Sequence, residues 1–182
     1  MAAEQDKDTI DGGAGNDWVD YRNISHGLTV TLNGAVAATV TFDGTANDNA
    51  TYADTVFNIE NVRGGTGADN ITGDSGDNVL DGWSGVDTLS GEGGNDTIIA
   101  RATSGEALDG GTGTDTVQLA QNVDFRSITI LNFETLDIQN YNSFMNFSQF
   151  DQFTKVTGSG RLYFYGTAGN DTLDFSDIAF IS

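Results

Sequence analysis

Acidic residues recur in this chain at a fixed spacing. Asp69, Asn78, Asp87, Asp96, Glu106 and Asp115 each hold the sixth position of a nine-residue unit whose eighth position is aliphatic. The units are GGTGADNIT from Gly64, GDSGDNVLD from Gly73, GWSGVDTLS from Gly82, GEGGNDTII from Gly91, RATSGEALD from Arg101 and GGTGTDTVQ from Gly110, with Ala100 as one extra residue. Glycine permits positive φ and close backbone approach, so the first six positions read as a turn. The last three read as a strand with one inward side chain: Ile71, Leu80, Leu89, Ile98, Leu108 and Val117, with Val19 in an isolated copy. Two units then make one coil of about 18 residues, and turns two units apart stack on the same side. One stack holds Asp69, Asp87 and Glu106; the other holds Asn78, Asp96 and Asp115. Parallel strands lie about 4.8 Å apart, and two oxygens sharing a calcium ion at about 2.4 Å each span that distance. Without a cation, carboxylates about 5 Å apart repel by roughly 3 kcal/mol at an effective dielectric near 20. The chemistry on offer is therefore oxygen coordination of a divalent cation, with turn carbonyls completing the shell.

Further copies lie outside this block. GGAGNDWVD runs from Gly12 to Asp20 with Asp17 in the acidic position. GTAGNDTLD runs from Gly166 to Asp174 with Asp171 there. A truncated copy ends at Asp11, which leads us to expect a longer array upstream. With three complete GGxGxD strings and a sustained period of nine, the chain resembles the RTX (hemolysin-type calcium-binding) repeat family. The resemblance implies a parallel β-roll holding several Ca²⁺ ions, export by a type I secretion system, and folding outside the cell on calcium. It also implies that carbonyls of the first and third turn positions act as ligands: Gly64 and Thr66, Gly82 and Ser84, Gly91 and Gly93, Gly110 and Thr112. Four positions depart from the pattern. Asn78 replaces an acid, Trp83 and Glu92 replace the second glycine, and Glu106 closes a turn with a single glycine.

The fold expected is all-β: a right-handed parallel β-roll with a β-rich N-terminal extension and an aromatic C-terminal cap. In a single 182-residue domain, residues 1–20 hold partial repeats, 21–63 a β insertion, 64–118 the six-repeat array, and 119–182 the cap with one degenerate repeat. Leu28, Val30 and Leu32 alternate, as do Ala38, Val40 and Phe42. Asn33-Gly34 between them fits a hairpin turn, and two wider solenoid rungs fit as well. Asp54 and Glu60 in the following run read as solvated acids rather than ligands of an edge ion. Nine of the 11 Phe fall between Phe125 and Phe180. Phe144, Phe147, Phe150 and Phe153 recur every three residues, which predicts one or two helical turns, and Leu162 and Phe164 begin another strand.

Composition excludes several functions. Seven Lys and Arg stand against 27 Asp and Glu, a formal charge of −20, which rules out phosphate neutralisation on nucleic acid and polybasic membrane contact. No run of about 18 apolar residues exists to span a bilayer as a helix, and the N-terminus lacks the basic start and apolar core of a signal peptide. With no Cys, disulfides and thiolate metal sites are excluded. Gly73-Asp74-Ser75-Gly76 imitates a serine-protease motif, but the repeat frame explains it. His26, the only histidine, shows no spacing that would bring it to Ser75. The expected function is non-enzymatic: a calcium-binding module of a secreted or cell-surface bacterial protein, with calcium and the type I secretion machinery as partners. Two alternatives stand beside it: a self-assembling surface-layer or adhesin segment, and an accessory polysaccharide-binding module of an extracellular enzyme. A cell-surface protein or polysaccharide would then be a further partner.

Overall fold

The computed structural model describes residues 7–43, 53–101, 104–166 and 179–181. Its strands are β1 (Thr9–Asp11), β2 (Trp18–Asp20), β3 (Leu28–Thr31), β4 (Ala38–Phe42), β5 (Asp54–Phe57), β6 (Asn61–Arg63), β7 (Asn70–Thr72), β8 (Val79–Asp81), β9 (Thr88–Ser90), β10 (Thr97–Ala100), β11 (Ala107–Asp109), β12 (Thr116–Leu119), β13 (Val123–Asp124), β14 (Thr129–Leu131), β15 (Thr135–Asp137), β16 (Asn142–Asn146), β17 (Lys155–Thr157), β18 (Arg161–Tyr165) and β19 (Ala179–Ile181). From β5 to β15, with β13 set aside, successive short strands alternate between two eight-stranded sheets. One runs β1-β5-β4-β3-β7-β9-β11-β14, the other β2-β6-β8-β10-β12-β15-β17-β19, and β13-β16-β18 form a third, smaller sheet. All pairings except β3–β4 and β4–β5 are parallel. The chain is a parallel β-solenoid of the β-roll type.

The aliphatic position of every described unit faces the interior. In the first sheet Val30, Ile71, Leu89, Leu108 and Ile130 stand in register. In the second, Val19, Val62, Leu80, Ile98, Val117, Leu136 and Val156 do so, all buried. The pairing also shows where the extra residue goes. Ile71 pairs Leu89 and Leu80 pairs Ile98 at a separation of 18, whereas Leu89 pairs Leu108 and Ile98 pairs Val117 across Ala100, one residue longer.

The segment before the array settles into a hairpin: Leu28 faces Phe42 and Thr29 faces Thr41 in antiparallel register. The turn begins at Asn33, whose carbonyl accepts the Val36 N–H at 3.0 Å, with Gly34 at φ 56°. Beyond Gln118 the two main sheets continue through β14, β15, β17 and β19, and the third sheet widens the coils. Phe125, Phe133, Phe150, Phe153 and Met145 fill the extra space, each fully buried ring contributing roughly 1.5–3 kcal/mol. The expected helix is a single turn, Phe147–Phe150. Phe144 is not on it, because Ser143 and Met145 point inward on β16 and strand alternation turns Phe144 outward. There it stacks on Tyr163 with centroids 4.8 Å apart.

Candidate metal sites

Each acidic position closes a turn just before a strand, and that placement makes a ladder along the solenoid. The Asp69 N–H donates to Asp87 Oδ1 at 2.9 Å, the Asn78 N–H to Asp96 Oδ1 at 2.7 Å, and the Asp96 N–H to Asp115 Oδ1 at 2.8 Å. All six array positions, including Glu106, are buried, none more than 4 % exposed. The carboxylates thus do not simply face one another. One oxygen is tied to the backbone of the preceding coil, and the second remains for other chemistry.

That second oxygen is the informative one. Asp69 Oδ2 accepts the Gly65 N–H of its own turn at 2.7 Å. Asp96 Oδ2 and Asp115 Oδ2 are buried with no hydrogen-bond partner among the described residues. A side chain at Gly91 would collide with both Asp96 Oδ2 and the Gly110 carbonyl oxygen of the next coil. Only glycine lets these two oxygens approach from either side. A buried anionic oxygen without a partner costs several kcal/mol unless a proton or a cation neutralises it. Donor sets made only of carboxylate and carbonyl oxygen suit hard cations of the calcium type. Among the described residues no three His, Cys, Asp or Glu side chains converge on one point. A cation held here would therefore be shared between one or two carboxylates and backbone carbonyls.

The first-position carbonyls of Gly82, Gly91 and Gly110 lie against the turn of the preceding coil, at Gly64, Gly73 and Gly91 respectively. The third positions stitch turn to turn. Ser84 N–H donates to Gly65 O at 3.1 Å, Thr112 N–H to Glu92 O at 2.7 Å, and Gly93 pairs with Thr112. Thr66 N–H donates to Ile24 O at 2.8 Å. Asn78 is complete within the protein: its Oδ1 accepts the Asp74 N–H at 2.8 Å and its Nδ2 donates to Glu60 O at 2.9 Å. The amide replaces an acid where the chain supplies both partners. Asp17 repeats the ladder, its N–H donating to Glu60 Oε2 at 2.9 Å while its Oδ2 is buried without a hydrogen-bond partner among the described residues. Asp171 lies outside the described residues.

The ladder extends past the array through residues that the nonapeptide pattern misses. Glu60 follows Asp17, Glu134 follows Asp115 (Asp115 N–H to Glu134 Oε2, 2.8 Å), and Asp54 follows Asp8 (Asp8 N–H to Asp54 Oδ1, 3.0 Å). Asp54 is 2 % exposed, not a solvated acid. The signal present in the sequence is an acid, any residue, then an aliphatic: Asp54-Thr55-Val56, Glu60-Asn61-Val62 and Glu134-Thr135-Leu136.

A different carboxylate carries a structural ion cluster. Asp81, fully buried, accepts from Arg101 Nε at 2.7 Å and Nη2 at 2.8 Å, and from Arg63 Nε at 2.9 Å. The Trp83 ring lies between the two guanidinium groups, 4.4 Å from Arg101 and 5.3 Å from Arg63. Burial pushes the Asp81 carboxyl up, but the arginine hydrogen bonds and charges outweigh it and hold it below the usual carboxylate range. Ser75 sits in a turn leading into the second sheet and His26 in one leading into the first, so the protease-like string remains a piece of repeat.

The ladder acids behave in the opposite way to Asp81. Burial, reinforced by neighbouring carboxylates, raises Asp69 to about 6 and both Asp87 and Asp96 to about 7. Burial also raises Asp115. Unfolded aspartates titrate near 3.9, so between these values the metal-free fold binds protons that the unfolded chain does not. Stability from this source is complete below about pH 4 and is lost as pH rises through 6 to 7. In excess chelator, lowering pH from 8 to about 5 is expected to increase β signal in far-UV circular dichroism. Equally unordered chelated spectra at both pH values would refute this.

A family model for the RTX calcium-binding nonapeptide repeat matches in four copies, covering residues 2–22, 63–98 and 163–176. No curated protein matches the chain.

Proposed function

We propose that this chain, a carrier of RTX calcium-binding repeats, serves as a calcium-gated folding module of an exported bacterial protein and is not itself a catalyst. The observation that carries the reading is the pair of partnerless buried oxygens, Asp96 Oδ2 and Asp115 Oδ2, in turns whose remaining donors are backbone carbonyls. Asp69, Asp87, Asp96, Glu106 and Asp115, with the first- and third-position carbonyls of their turns, are the proposed ligands, and Asp17 and Asp171 extend the set. Where calcium is scarce, the −20 charge and buried acids oppose folding, which keeps the chain extended for passage through a type I secretion channel. Where calcium is abundant, the ions convert repulsion between coils into attraction. RTX repeats are typical of secreted proteins, and the absence of Pro and Cys removes slow isomerisation and disulfide steps after export.

Limited proteolysis across a calcium titration tests this. Protection is expected to appear with a midpoint on the order of 10⁻⁴–10⁻³ M, the range of extracellular calcium modules. Full protection at submicromolar calcium would overturn the reading, because the module would then fold before export.

A further inference from the structure

We infer that Glu134 and the Asn132 carbonyl, neither of them in a nonapeptide, complete one more calcium site where the glycine turns run out. The inference rests on the calcium reading above and adds ligands that the repeat pattern does not contain. The turn Asn132-Phe133-Glu134 follows Gly110–Asp115 in the stack. It is shorter than a nonapeptide turn, yet it reproduces two of its features. Asn132 adopts φ 58°, the left-handed conformation that Gly111 adopts at φ 94° one coil earlier, and asparagine tolerates it better than most residues. The Asn132 side chain secures this placement by donating to Asp109 Oδ1 at 2.7 Å, and Phe133 is buried beneath the turn.

The consequence is a repeated oxygen position. A side chain at Gly91 would collide with Gly110 O; a side chain at Gly110 would collide with Asn132 O. The Asn132 carbonyl thus takes the place of the next first-position carbonyl. Glu134 takes the place of the next ladder acid, its Oε2 accepting the Asp115 N–H at 2.8 Å as Asp115 Oδ1 accepts that of Asp96. The Asp115 side chain lies against Gly110 together with the Asn132 carbonyl, and its Oδ2, on a residue with no exposed surface, has no hydrogen-bond partner among the described residues. A second carboxylate beside this oxygen makes sense if a cation binds both. The longer glutamate side chain reaches the ladder from a turn that has lost three residues.

The test is a count of bound Ca²⁺ by equilibrium dialysis on the full chain, comparing wild type, Glu134→Gln and Glu92→Gln. The glutamine keeps an oxygen for the Asp115 N–H, so the fold at saturating calcium, checked by circular dichroism, is expected to match wild type. Glu92 is exposed and outside the ladder, so its variant controls for loss of one charge. Glu134→Gln is expected to bind one ion fewer, or to bind its weakest ion about tenfold less tightly, while Glu92→Gln matches wild type. An unchanged count and affinity in Glu134→Gln would overturn the inference and leave the array sites standing. A wild-type chain that binds no calcium would instead overturn the reading beneath it.

Discussion

Asp96→Asn is expected to raise the calcium midpoint of folding about tenfold or more, and at the same time to make the calcium-free chain easier to fold at neutral pH. The two effects have opposite signs because they act on different states. Asp96 lies in mid-stack, between Asn78 and Asp115, and on the proposed reading its Oδ2 is the oxygen offered to calcium. Calcium affinity follows the number of charged ligands, and a tenfold loss corresponds to about 1.4 kcal/mol. Without metal, however, burial holds the Asp96 carboxyl near 7, so at pH 7.5 the fold pays for an anion that its solvent-excluded Oδ2 cannot share. The amide removes that charge and keeps an oxygen for the Asn78 N–H. Asp20→Asn is the control: Asp20 is exposed and meets Arg22 and Arg63 at 3.3 and 3.4 Å, so its substitution is expected to leave the midpoint within about twofold, as a surface pair contributes under about 1 kcal/mol. Midpoints that shift together in calcium titrations of the two variants, or a calcium-free Asp96→Asn less structured than wild type, would reject the ladder as the site.

The array was legible because each nonapeptide is one turn and one strand, and the coil enforces that period. The aliphatic eighth positions, the alternation between sheets and the insertion at Ala100 all follow from counting. Residues 28–42 were not decidable, since Leu28, Val30, Ala38 and Val40 alternate in the same way in a hairpin and in stacked rungs. The ladder continued unseen at Glu60 and Glu134 because their turns contain no glycine. Asn58 and Asn132 supply the left-handed conformation instead, at φ 53° and 58°. The Asp81 cluster became visible only with the coil in hand, which sets Arg63 and Arg101 about one coil before and after it. Trp83 and Glu92 hold left-handed φ of 66° and 72° where glycine is usual. For Trp83 the stacking of Arg63 and Arg101 on its ring offsets part of the conformational cost; nothing in the structure explains Glu92.

Removal of calcium is expected to have the largest effect of all. Asp69, Asp87, Asp96, Glu106 and Asp115 are buried together in a chain of charge −20. The described arginine ion pairs fall on Asp81, Asp20 and Asp124. Folding them ionised and without metal sets repulsion of a few kcal/mol per neighbouring pair against a typical domain stability of about 5–15 kcal/mol. Magnesium is a poor substitute, because it dehydrates reluctantly and demands a tight octahedron that turn carbonyls at fixed positions do not offer. The most direct measurement is far-UV circular dichroism of the full chain at pH 8 in excess chelator, then in millimolar Ca²⁺ and separately in millimolar Mg²⁺. A largely unordered spectrum is expected in chelator, with β signal restored by calcium and little change with magnesium; the same β spectrum in chelator as in calcium would show that the fold does not depend on the ion.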